Sequence, residues 1–143
     1  MQILFERIGV LATLVMFFLS GVSKVYNHEQ QVKDIERLIK VTSLPEYAAF
    51  ASIFLAGVFE FAAVVVIVLD LFNDGQLNSK VSIYAYSFLI IFTIIVTFLF
   101  YANPFKNIFN HVAFLSNLTT LGALLVGLSI TLKNSPAFLP IKL

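Results

Sequence analysis

Cysteine and tryptophan are absent from the 143 residues, and only 12% of the chain is charged. The lack of cysteine excludes disulfides, thiol redox chemistry and thiolate-ligated metal. The scarcity of charge is far below the roughly 25% of ordinary soluble domains. A formal net charge of +1 offers no field to draw a polyanion, so nucleic acid is not an expected partner. No Ser-His-Asp grouping, phosphate-binding glycine loop or dinucleotide fingerprint stands in the sequence. Of the two histidines, His28 is in the polar loop and His111 in the first turn of the last span, whereas a metal or haem site would want more ligands on bundle-facing positions.

What is there instead is apolar. Hydrophobic residues make up 59% of the chain, sixteen of them phenylalanine, and mean hydropathy is +0.94. A soluble domain of this size buries too small a fraction of its surface to hide so much. The reading is an integral membrane protein with one domain over residues 1–143. A helix needs ~20 apolar residues to cross the hydrocarbon core. Four segments meet that need: 3–25, 46–72, 81–101 and 108–132. They are too long and too uniformly apolar for barrel strands, so the expected fold class is all-α, an integral membrane four-helix bundle. "RIGVLATLVMFFLSGVS" imitates a secretory signal, but three further runs follow, and it is expected to remain as the first span.

The connections support this. "NDGQLNSK", residues 73–80, has turn chemistry, and "ANPFKN", residues 102–107, carries a helix-ending proline. Both are short, so the last three spans should be antiparallel neighbours. Phe138, Leu139 and Ile141 in the tail suit the membrane surface or a partner. The first connection, 26–45, is longer and places Val32, Ile35, Leu38 and Ile39 on one helical face. Two readings fit it: an amphipathic helix in the interface plane, which is preferred, and a linker helix packed on the bundle. Pro45 suits the first turn of the second span. Lys24, Lys33, Arg37, Lys40 and Lys106 fall on one side, Arg7, Lys80, Lys133 and Lys142 on the other, which is too even to set orientation.

Glu60 stands out. It interrupts "FLAGVFEFAAVVVIV", and a lone carboxylate deep in hydrocarbon costs at least ~2.5–3.5 kcal/mol. It should face the interior, protonated or paired. Arg7 is the first candidate partner. Counting depth from helix ends at 1.5 Å per residue matches Arg7 better to Asp70 than to Glu60. Asn117 lies near the depth of Glu60, close enough for a hydrogen bond. Thr93 and Thr97 share one helix face. Together Arg7, Glu60, Asp70, Asn117, Thr93 and Thr97 form an expected intramembrane polar cluster. Its bland role is packing, with serine, threonine and asparagine bonding between helices. Gly9 with Thr13, Ser52 with Ala56 and Ala123 with Gly127 are the expected points of close approach. Its functional alternative is a site for a ligand, proton or quinone.

The ordered set of motifs resembles the DoxX-like family of small four-helix membrane proteins. It comprises Arg7, then "FFLSGVSK" with Gly21 and Lys24, Pro45, Glu60 in "GVFEFAAVVVIVL", and Asn117 with Gly122 in "FLSNLTTLGALLVGL". Ser116 departs from the lysine that many members carry beside that asparagine, and "LDLFNDG" departs from their glycine at the end of the second span. The resemblance implies association with membrane redox assemblies.

The function expected is a non-catalytic accessory subunit of a larger respiratory or redox membrane complex, contacting lipid, quinone and other membrane subunits. The alternative is an oxidoreductase component with its own quinone or small-molecule site around Glu60 and Asn117. A small transporter or membrane chaperone ranks below both. No cofactor is required, though a bound lipid or quinone is compatible. A bacterial inner membrane and a mitochondrial inner membrane both fit.

Overall fold

Local sequence signals set the helix ends. A computed structural model describes residues 2–72, 79–101, 103, 105 and 107–133. It contains α1 (Gln2–Tyr26), α2 (His28–Thr42), α3 (Glu46–Phe72), α4 (Ser79–Tyr101) and α5 (Ile108–Lys133). Asn27 caps α2, its side chain accepting from the Gln30 N–H at 3.1 Å. Ser43 ends α2 in the left-handed region (φ 58°), with its N–H donating to the Ile39 carbonyl at 2.8 Å. The Pro45 carbonyl then accepts from the N–H groups of Ala48 and Ala49, each at 3.0 Å, and α3 begins. Asn107 caps α5 by accepting from the Asn110 N–H at 2.7 Å. Of the expected turn at 73–80, residues 79 and 80 already belong to α4, and residues 73–78, like Pro104 and the tail from 134, lie outside the described residues.

Four of these helices, all but α2, are long and apolar enough to cross a membrane, which is consistent with an integral membrane protein. They close into a ring in which α1 packs on α3 and α5, and α4 packs on α3 and α5. Leu14 and Phe17 of α1 meet Ala63, Val64 and Ile67 of α3, Ala85, Tyr86 and Leu89 of α4, and Leu124 of α5 in the central core. The closest backbone approach is at Gly21 and Gly57. A Cβ on Gly21 would stand 2.8 Å from the Gly57 carbonyl oxygen. Gly127 makes room for the Tyr86 ring, whose Cε1 would be 2.7 Å from an added Cβ. Gly9, expected to be a crossing point, has nothing within 4 Å of an added Cβ, and neither has Gly122. Periodicity of small residues marks where approach is permitted, whereas the core stripe decides where it happens.

The second helix also departs from the preferred reading. Its Ile35, Leu38 and Ile39 pack on Ala49 and Ile53 of α3 and on Leu99 and Phe100 of α4. Most of the apolar stripe assigned to the membrane interface is thus covered by protein, and Val32 stays exposed. The reason is stagger. Lys24, near the end of α1, lies beside Gly57, so α3 runs on for eleven residues past that level, ~17 Å, and α2 covers the overhang.

Candidate functional site

The stagger and the glycine crossing together build the site. Lys24 follows Gly21 by three residues, and Glu60 follows Gly57 by three. On two helices meeting through those glycines, the two charged side chains come face to face. Lys24 Nζ lies 2.9 Å from both Glu60 carboxylate oxygens. Glu60 is fully buried, and the Lys24 side chain is 15% exposed. Ser20, one turn before Lys24, completes a triad: its hydroxyl accepts from Lys24 Nζ and is hydrogen-bonded to the Glu60 carboxylate. The ammonium thereby has three acceptors for its three protons. The Phe92 ring lies 5.6 Å from Nζ, adding a cation–π contact. Gln31 of α2 donates from Nε2 to the Lys24 carbonyl at 2.9 Å, tying α2 to the same residue.

The pair forms part of the wall of a cavity of about 460 Å³ between all five helices, within the size range of small-molecule sites. Its polar wall holds Ser20, Lys24, Glu60, Thr93, Asn117 and Thr120. The α2 end is closed by Asp34 and Arg37. Arg37 donates to the Tyr101 hydroxyl at 2.9 Å and the Phe100 carbonyl at 3.4 Å, with its guanidinium 4.5 Å from the Tyr101 ring centroid and 4.9 Å from that of Phe100. This is a hydrogen-bonded and stacked clamp that a lysine would not reproduce.

The expected polar cluster is therefore divided. Glu60, Thr93 and Asn117 come together on the cavity wall, and Arg7, Asp70 and Thr97 lie off it. The partner of Glu60 is Lys24, not Arg7. Asp70 Oδ1 is buried without a hydrogen-bond partner among the described residues. The Glu60–Asn117 hydrogen bond is not formed, although both face one space. Nor do the threonines chiefly bridge helices. Thr93 donates to the Leu89 carbonyl at 2.7 Å, Thr97 to Thr93 at 2.6 Å and Thr120 to Ser116 at 2.9 Å. The carbonyl one turn back is within reach of a helical threonine and competes for its proton, and of these three Thr120 alone also reaches another helix, 3.8 Å from Met16 Sδ.

The residue that sequence reasoning underrated as a partner is Lys24, which it counted with the loop-side charges. The usable signal was the matched spacing, Gly21-x-x-Lys24 against Gly57-x-x-Glu60, with opposite charges on two apolar helices. Among the described residues, no three of His, Asp and Glu gather as metal ligands would. No protein-family model, curated protein or solved structure matches the chain.

Proposed function

We propose that this chain is an integral inner-membrane protein, bacterial or mitochondrial, whose bundle holds a small-molecule site on the Lys24–Glu60 pair. The observation that carries this reading is the cavity of about 460 Å³ with a buried ion pair in its wall. Desolvating two charges costs several kcal/mol each, and an apolar pair of similar volume packs as well or better. A charged pair beside a space of ligand size is therefore more than packing needs. Of the residues that carry the resemblance to DoxX-like proteins, Lys24, Glu60 and Asn117 line that space and Gly21 sets the crossing, while Arg7, Pro45 and Gly122 are not in its wall. The test is native mass spectrometry of the protein extracted from its membrane. The wild type should carry a bound small molecule whose occupancy falls in Thr93→Phe, which pushes a ring into the cavity. A wild type with no bound mass, or a mass carried undiminished by Thr93→Phe, would contradict it.

A second reading, an accessory subunit of a larger respiratory or redox membrane complex, draws on a different observation. Phe50, Phe54 and Phe61 share one exposed face of α3, and Phe18 of α1 continues it, 5.6 Å from Phe61 between ring centroids. Cross-linking in the native membrane should recover partner chains through this face. Recovery of the monomer alone would contradict the subunit reading and leave the cavity reading intact.

A further inference from the structure

We infer that the ligand is an uncharged, hydroxyl-headed, single-chain amphiphile that enters the cavity from the bilayer. This rests on the reading of the cavity as a small-molecule site.

The head group follows from what the wall leaves unspent. The charges lining the space are Lys24 and Arg37 against Glu60 and Asp34, which sum to zero. Lys24 is charge-paired with Glu60 and bonded to Ser20, whereas Arg37 spends its hydrogen bonds on neutral acceptors, the Tyr101 hydroxyl and the Phe100 carbonyl, between two aromatic rings and on the same wall as Asp34. A phosphate or carboxylate head would have to displace Glu60 from Lys24, or break into the Arg37 clamp with the Asp34 carboxylate on the same wall. The free capacity is neutral and of both kinds. Asn117 lines the cavity with no side-chain hydrogen bond among the described residues, so it offers two donors and an acceptor. The Tyr101 hydroxyl accepts from Arg37 and keeps its own proton to give. Thr93 and Thr120 have given their protons to their own helices and present lone pairs. A hydroxyl, which both donates and accepts, complements this set; an anion, which only accepts, does not.

The route follows from where the wall meets the outside. Met16 on α1 and Ile95 on α4 line the cavity and are 50% and 55% exposed on the apolar outer surface. At about 30 Å³ per water-sized group, 460 Å³ holds roughly fifteen such groups. That suffices for a head and part of a chain, with the remainder passing Met16 or Ile95 into the acyl layer. The polar head under α2 and the apolar mouth match the two ends of an amphiphile.

The experiment is photolabelling of the full chain in phosphatidylcholine vesicles with three diazirine probes of equal chain length: a monoacylglycerol, a fatty acid and a lysophosphatidate. The monoacylglycerol should label peptides containing Met16, Ile95 or Asn117 at least tenfold more than either acid. Asn117→Leu should reduce that labelling about tenfold, the factor expected for losing one well-made hydrogen bond. Thr120→Val, which removes a lone-pair acceptor with little change of shape, should lower it in the same direction. Equal or stronger labelling by the acids would overturn the head-group assignment and leave the cavity reading standing. Absence of cavity labelling by any probe would overturn the inference, and the Thr93→Phe native-mass comparison would then decide the cavity reading separately. Labelling unchanged in Asn117→Leu would also overturn it.

Discussion

Lys24 lies against Gly57: a Cβ built on that glycine would stand 2.8 Å from Lys24 Cβ. The bare backbone of α3 lets the lysine lie flat across the helix and turn its ammonium onto Glu60, one turn further along. An added methyl at either crossing glycine meets atoms that cannot easily move, since the Gly21 Cβ would meet the Gly57 carbonyl oxygen at 2.8 Å. Gly21→Ala and Gly57→Ala should each cost about 1–3 kcal/mol by overpacking. Gly9→Ala and Gly122→Ala, which meet nothing within 4 Å, should be neutral or stabilising by up to about 1 kcal/mol through helix propensity. Thermal unfolding in detergent measures the contrast, and equal losses at all four would contradict it.

Charge removal at the pair should be non-additive. Lys24→Met leaves a fully buried carboxylate without its counter-charge and should cost about 3–5 kcal/mol. Glu60→Leu strands the ammonium and should cost a similar amount. The double variant Lys24→Met with Glu60→Leu should recover most of the loss, because an apolar pair needs no desolvation. A double-mutant cycle read by chemical or thermal unfolding checks this, and additive losses would show that the two side chains do not act as a unit.

The four apolar helices were legible in the sequence because hydropathy over twenty-odd residues is a strong, local signal. The third helix, Glu46–Phe72, has the expected bounds, and the others differ by one or two residues at an end. The pairing of Glu60 was less legible for a geometric reason. Depth counted from helix ends assumes that the ends are flush, and α3 runs eleven residues past the level of Lys24 while α1 runs only two. That overhang moves Glu60 away from the level of Arg7 and onto Lys24. The packed position of α2 was the less favoured of its two readings for the same reason, since an overhanging α3 offers Ala49 and Ile53 as a surface that a flush bundle would not have. The threonines were read as bridges because residue type alone does not tell which carbonyl a hydroxyl will find.

Arg37 holds α2 down over the cavity. Replacing it with lysine keeps the charge and loses both the hydrogen-bond fork to Tyr101 and Phe100 and the flat stacking on their rings. In Arg37→Lys, amide hydrogen exchange across α2 should speed up several-fold while α3 and α4 stay protected. Uniform exchange rates between the variant and the wild type would mean that Leu38 packing alone secures the helix.

Ser82 is fully buried with its hydroxyl unbonded among the described residues. Such a group contributes desolvation cost without return. Ser82→Ala should therefore be neutral or stabilise the protein by about 1 kcal/mol. A clear loss of stability would show that the hydroxyl has a partner in the membrane-bound protein.

The decisive measurement is a solid-state NMR dipolar recoupling experiment on protein reconstituted in lipid bilayers, with ¹⁵N in the lysine side chains and ¹³C in the glutamate carboxyls. Lys24→Arg and Glu60→Gln serve as assignment controls. A strong ammonium–carboxyl coupling that vanishes in either control should appear, as both oxygens at 2.9 Å require, distinct from that of the exposed Lys33–Glu29 pair at 3.3 Å, which both controls leave in place. Absence of that coupling, or a Lys24 ammonium in fast exchange with bulk water, would contradict a buried Lys24–Glu60 pair and with it the site built around it.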